Sequence, residues 1–180
     1  MGAYDLTAGR QEPGKNSVGG LKAVYFVTSG MLTPADLTYD VTNTDAIATA
    51  TPATTAVQFD LRGANTFDET VTSSREMGTT FYEGKLSLKL KKLSMKDHKE
   101  LKLLAFGRPQ CVVEDNNGNY FFVGLKNGMD VTGGTIARGN ALGDHSGYTL
   151  ELTSQEPVPA NFLAGTLAAV LKTITIGTNV

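Results

Sequence analysis

The chain has no tryptophan, a single cysteine, two histidines and a charged fraction of only 19% in 180 residues. Each scarcity removes a class of function. Cys111 has no second cysteine to pair with, so no internal disulfide framework is available. It is followed by Val112 and Val113, and an unpaired cysteine in such company reads as a small buried hydrophobe. A cysteine nucleophile needs a positioned base, and none lies nearby in sequence. Two isolated histidines, His98 and His145, make no zinc spacing with that one thiol. A net charge of -2 argues against a general basic nucleic-acid binder. It leaves room for a protein that encloses DNA without gripping it. No apolar run is long enough to span a membrane. No secretory leader is visible either, and Met1-Gly2 fails as a myristoylation start because position 6 is Leu6. A cytoplasmic product, or one that leaves by a route needing no such signal, is expected.

The sequence is rich in glycine (20 residues), threonine and short apolar runs. That combination fits a β-rich domain with many turns, and the length fits one domain with a real core. The clearest local pattern is Gly84 to Gly107. Leu86, Leu88 and Leu90 alternate with Lys85, Ser87, Lys89 and Lys91, the period of a strand with one buried face. The alternation slips at Lys91-Lys92-Leu93, where the strand must end or bulge. Ser94 is a good N-cap, with Asp97 three residues on as capping partner and favourable charge. Leu101, Leu104 and Ala105, extended by Met95 and His98, give the helix an apolar stripe, and Gly107 and Pro109 stop it. One helix over about 94–106 is expected to pack on a sheet.

Other strands are expected at Leu21 to Val27, Val57 to Leu61, Phe67 to Thr72, Gln110 to Glu114, Tyr120 to Leu125, Met129 to Ala137 and Tyr148 to Leu152. Gly30 and Pro34 punctuate the end of the first. Asp115-Asn116-Asn117-Gly118 is a strong hairpin signal, and Asn127-Gly128 turns the chain again. Residues 36–55 are rich in Thr, Ala and Asp and read as a long surface connection, with short strands at Leu37 to Val41 and Ile47 to Ala50. Thr51-Pro52-Ala53-Thr54-Thr55 reads as loop or edge. Met1 to Gly20 holds five glycines and a proline without periodicity, the pattern of a flexible arm. Pro157 and Pro159 are expected to close the sheet. The apolar segment Asn161 to Val180 then either folds back as an extra strand or docks on a neighbouring subunit, and the second is preferred. The expected architecture is mainly β: an antiparallel β-sandwich or split barrel over 21–160, one flanking α-helix, and terminal arms over 1–20 and 161–180.

The chemistry-bearing residues converge on no site. Gly143-Asp144-His145-Ser146-Gly147 sets three triad residue types side by side, but neighbours in a turn point apart and a triad is built in space. Asp115-Asn116-Asn117-Gly118-Asn119 begins like a calcium loop, yet its twelfth position is Lys126 instead of a bidentate glutamate. Gly133-Gly134-Thr135 lacks the lysine and the helix of a phosphate loop. Lys85, Lys89, Lys91 and Lys92 form a solvated strand face without the aromatics of a single-strand binder. No catalytic, cofactor or metal residue is assigned.

The order of elements — strand, long connection, hairpin, single helix, antiparallel strands, apolar tail — resembles that of tail tube proteins of tailed bacteriophages and the tube proteins of contractile secretion machines. The resemblance runs from about Leu21 to Pro159. It is carried by Val112-Val113-Glu114-Asp115-Asn116-Asn117-Gly118-Asn119-Tyr120-Phe121-Phe122-Val123-Gly124, by Gly133-Gly134-Thr135-Ile136-Ala137-Arg138-Gly139 and by Gly143 to Leu150. It implies six subunits closing a ring, their inner strands joined around a lumen, and rings stacked through loops and arms into a conduit for DNA. The implied partners are other copies, tail proteins such as sheath or tape measure, and passing DNA held without specificity. The implied location is the virion tail, assembled in the host bacterial cytoplasm without membrane insertion. Three alternatives stand beside it: another ring-forming or decorating phage protein of neck, baseplate or capsid; a monomeric β-sandwich that binds carbohydrate or protein; and a hydrolase built on Asp144, His145 and Ser146. The binding module would need an exposed aromatic platform, whereas Phe59, Phe67, Phe81, Tyr120 to Phe122 and Tyr148 read as core.

Overall fold

A computed structural model describes residues 6, 8–27, 32–51 and 54–176. The Met1-Gly2 start, Gly30, Pro52, Ala53 and residues 177–180 lie outside the described residues. The strands are β1 (Leu21–Val27), β2 (Leu37–Tyr39), β3 (Ala46–Ala50), β4 (Thr54–Asp60), β5 (Thr66–Ser74), β6 (Thr79–Lys91), β7 (Gln110–Asp115), β8 (Tyr120–Val123), β9 (Asp130–Ala137), β10 (Gly147–Glu156), β11 (Asn161–Leu163) and β12 (Lys172–Ile176). Helix α1 (Met95–Phe106) and the short α2 (Leu167–Leu171) complete the elements, with one turn of 3-10 helix at Pro34–Asp36. An eight-stranded sheet runs β12-β4-β1-β7-β8-β11-β3-β2, and a four-stranded sheet runs β5-β6-β10-β9. The two sheets pack as a β-sandwich with no closed barrel. Pairing is antiparallel except for β11 with β3 and β12 with β4.

Two cores explain the apolar runs. Val24 and Phe26 of β1 and Cys111 and Val113 of β7 face the small sheet, where they meet Leu86, Leu88 and Leu152. Their alternates Ala23, Tyr25, Val27 and Val112 face a second core with Ile47, Ala50, Phe122, Leu163, Leu167, Val170 and Leu171. These central strands are thus buried on both faces, which is why β1 and β7 read as continuous apolar runs without alternation. β6 has only one covered face and alternates as expected.

The local signals come out as elements. Ser94 caps α1 by accepting from the Asp97 backbone N–H at 3.1 Å. The slip after β6 is Lys92 at φ 67, the non-glycine residue found in the left-handed region among those described. Its N–H donates to the Ser146 carbonyl at 2.7 Å. In the β7–β8 hairpin, Gly118 has φ 84, a conformation costly for any residue with a Cβ. The Asp115 carboxylate accepts from the backbone N–H groups of Asn117 and Asn119 at 2.9 and 2.7 Å, closing the turn.

Two expectations need correction. The short strands expected within residues 36–55 are present as β2 and β3, but they are no surface connection: Ile47 and Ala50 are fully buried. Ala50 and Ala56 are fully buried within the second core, beside Ile47. Likewise residues 161–176 form no arm toward a neighbour. β11 is inserted between β8 and β3 after Pro157 and Pro159, so the prolines do not close the sheet. α2 buries Leu167, Val170 and Leu171 against β3 and β4, and β12 extends the sheet beyond β4. Burying each such side chain stabilises by about 1.5–3 kcal/mol, so the segment has a home in its own chain. At the other terminus, residues 8–20 carry no helix or strand. Asn117 accepts from the Val18 N–H at 2.9 Å and donates to the Val18 carbonyl at 2.8 Å, which ties this stretch to the hairpin.

Candidate assembly surface

The residues weighed for catalysis or metal binding lie apart. Cys111 is fully buried, its thiol 3.2 Å from the Met129 sulfur, and burial pushes its pKa up, away from the thiolate. The Asp144 carboxylate accepts from the backbone N–H groups of Asn140 and Ala141, both at 2.8 Å, which hold it below the usual carboxylate range. It is committed to its own turn, and His145 Nε2 beside it is buried without a hydrogen-bond partner. His98 is exposed on α1, its ring 6.2 Å from that of Tyr148. Gly133 and Gly134 lie in the extended strand β9. Among the described residues, no group of three or more His, Cys, Asp or Glu side chains is arranged to hold a metal ion. The strand aromatics form no platform: Phe122 and Tyr148 are buried, and Phe59 and Phe67 pack on the inter-sheet core.

One polar cluster carries no signal in the sequence. Glu114, almost fully buried at the end of β7, accepts from Lys22 and from the Tyr25 hydroxyl, the latter at 2.7 Å. Burial first, and then this bond, push the Tyr25 pKa up. Its parts are dispersed in sequence and meet only because β1 pairs with β7.

Both sheets are open, the larger ending in β12 and β2 and the smaller in β5 and β9. The outer face of the smaller sheet is set by register. Thr66, Asp68 and Thr70 of β5 lie opposite Ser87, Lys85 and Glu83 of β6. Across the sheet, Lys89, Ser87 and Lys85 lie opposite Thr149, Glu151 and Thr153 of β10. Hydroxyls therefore alternate with charges of both signs, and Lys85 sits 3.8 Å from Glu151. The lysine face of β6 is thus interleaved with carboxylates and hydroxyls.

The sheet has two outer strands, β5 and β9, and both are exposed along most of their length. Because neighbours are antiparallel throughout and the strand number is even, β5 and β9 run in opposite directions. A second copy set beside the first in the same orientation brings β5 against β9 in antiparallel sense. Flanking β9 is α1, with Leu101 buried beneath it. A shallow groove of about 350 Å³ between them is lined by Leu93, Ser94, Met95, His98, Ile136, Arg138 and Tyr148. No protein-family model, curated protein or solved structure matches the chain.

Proposed function

We propose that the chain is a virion structural protein, a tail tube subunit that assembles into stacked rings of six and forms the passage for DNA ejection. The observation that carries this is the four-stranded sheet with two exposed edges running in opposite senses. An open edge is a standing hazard for uncontrolled pairing, and closing a ring removes it. Six sheets of four would make a barrel of about 24 strands, beyond the size at which barrels enclose an aqueous channel. The outer face of the sheet then becomes the lumen wall. Its threonines and balanced charges suit a conduit, since a basic wall would hold the phosphate backbone by counterion release. The resemblance of the 112–150 segments to tail tube proteins supports the same assignment. Sheath or tape-measure proteins are the further partners it implies.

Negative-stain electron microscopy with light scattering on one sample tests it. Stacked rings or tubes of uniform width are the expected result. Isolated rings that never stack would favour a neck or baseplate subunit. A monomer at every concentration would favour the binding module, with the groove between α1 and β9 as its site.

A further inference from the structure

We propose that neighbouring copies join through one staggered ladder. β5 of one copy, from Thr66 to Thr72, pairs antiparallel with β9 of the next, from Ala137 to Asp130, displaced about four residues toward the β5–β6 turn. This seam presupposes the ring assembly above and fixes its register.

Pairing within the sheet sets the starting level. Asp130 pairs with Thr153, Thr153 with Lys85 and Lys85 with Asp68. A copy set beside the first without displacement therefore brings Asp130 against Asp68. Of β5, only Thr66, Phe67 and Asp68 would then face β9, and two like charges directly opposite destabilise a ladder. The rest of β5, Glu69 to Ser74, runs past the end of β9 toward the turn at residues 75–78.

Closing a barrel supplies the displacement. Barrel strands tilt by about 35–45° to the axis, so each copy is staggered along the strands relative to the last. A stagger of four residues is about 13 Å across four strand spacings of about 4.8 Å, a tilt of about 35°. Two residues would give about 19° and six about 46°, and odd values would turn side chains to the wrong face. The direction follows from chirality. Lys89 donates its N–H at 2.7 Å to Asn65, just before β5. The odd residues of β6, whose side chains form the outer face, therefore aim their main chain at β5. For L-residues this puts β5 to the right of β6, seen from the outer face with β6 running upward. The fixed hand of sheet twist then sets the next copy on that side lower, toward the β5–β6 turn.

A shift of that size and direction lays the whole of β9 on β5. On the face turned toward the core it sets Phe67 opposite Ile136 and Val71 opposite Val131, allowing for the irregularity in β9 at the Glu151/Leu152 step of its pairing. Val71 and Ile136 are 57% and 49% exposed in the single chain. The seam covers both, and cross-strand apolar pairs are what stabilise a ladder. On the outer face Asp68 leaves Asp130 and meets Thr135, while Asp130 meets Thr72. Gly133 and Gly134 fall opposite Thr70 and Glu69. A shift of six would instead set Glu69 against Ile136. The contact is heterologous, using different edges on the two copies, and such contacts propagate to a ring when the rotation closes.

Cysteine pairs read the register on non-reducing gels of oxidised rings, with Cys111 fully buried and out of reach. Asp68 and Thr135 aim their main chain at β6 and β10, so in the seam they form a non-hydrogen-bonded pair. Their Cα atoms would lie about 4.5 Å apart, within reach of a disulfide. Asp68→Cys with Thr135→Cys in one chain should give covalent multimers. Asp68→Cys with Asp130→Cys reports no displacement, and Asp68→Cys with Ala137→Cys reports six residues. Each of these should cross-link at least about tenfold less, because the Cα atoms lie beyond disulfide reach. Independently, Val71→Lys and Ile136→Lys should each raise the protein concentration at the assembly midpoint, read by light scattering, at least about tenfold. Both side chains are exposed, so melting temperatures should stay within a few degrees. Rings that cross-link in none of the pairs or best in a control pair, or lysine variants that assemble at the original concentration, would overturn this seam and leave the ring intact. Starting protein that stays monomeric at millimolar concentration would overturn both.

Discussion

Glu114 is almost fully buried yet keeps its charge satisfied through Lys22 and Tyr25. Lys22 is largely exposed, so solvent screens the ion pair and the hydroxyl bond carries more of the stabilisation. Glu114→Ala should cost about 2–3 kcal/mol in urea unfolding, because it strands a buried hydroxyl. Glu114→Gln, which still offers Tyr25 an acceptor, should cost less. The same cluster sets an alkaline limit. The folded chain holds the Tyr25 proton more tightly than the unfolded chain, whose tyrosines titrate near pH 10. Above about pH 10 the unfolded state binds fewer protons, so stability is intact below that pH and falls as pH rises. Tyr25→Phe should flatten this fall in thermal melts from pH 8 to 11, leaving a smaller slope from Tyr120, whose pKa burial also raises. The acid side has the opposite sign. At Asp115 partial burial pushes the pKa up, but the bonds from Asn119 and Asn117 outweigh it and the net shift is downward. Its contribution is present above about pH 4 and is lost as pH falls. Asp115→Ala should lower stability at pH 7 by about 1–2 kcal/mol and make the melting temperature less sensitive between pH 3 and 5.

At the scale of elements, α1 was the most legible part of the sequence. Ser94, Asp97 and Gly107 act within a few residues of themselves, so cap and stop follow from local chemistry. The depth of packing does not. Leu101 is the buried anchor, Leu104 is half-buried, and Met95 is exposed although it continues the apolar stripe. Leu101→Ala should therefore cost about 2–4 kcal/mol and Leu104→Ala about half of that or less, measured by denaturant unfolding. The C-terminal elements were harder to read. A short apolar segment rich in alanine and threonine has no period that separates an arm from a strand. Its place follows from β11 pairing with both β8 and β3, and from α2 covering a core built by residues more than a hundred positions earlier. Ending the chain at Ala160 should accordingly abolish cooperative unfolding, where removing a true arm would leave the transition in place. Val170→Asp should have nearly the same effect, since it buries a charge without a partner.

At the scale of the whole molecule, the proposed ring would be closed by pairing between β5 of one copy and β9 of the next, main-chain hydrogen bonding that salt screens little. Exposed charges, by contrast, are screened beyond about 8 Å at physiological ionic strength. Raising salt from 0.05 to about 0.5 M should therefore leave rings already formed intact, as followed by light scattering over time.

The division between sequence and structure follows the range of the forces. Alternation fixed β6 and β10, an Asp-Asn-Asn-Gly run fixed the β7–β8 turn, and a serine fixed the start of α1, because each depends on residues a few positions apart. The sequence by itself also implied a β-rich sandwich with one main helix. It was silent on the double burial of β1 and β7, the Glu114 cluster and the second core under β2 and β3, and it left the inward path of residues 161–176 as the less favoured of two readings. It was equally silent on which strands stand at the open edges of the two sheets. Those depend on contacts between segments far apart in the chain, where a side chain's environment is set by whatever the rest of the chain brings to it.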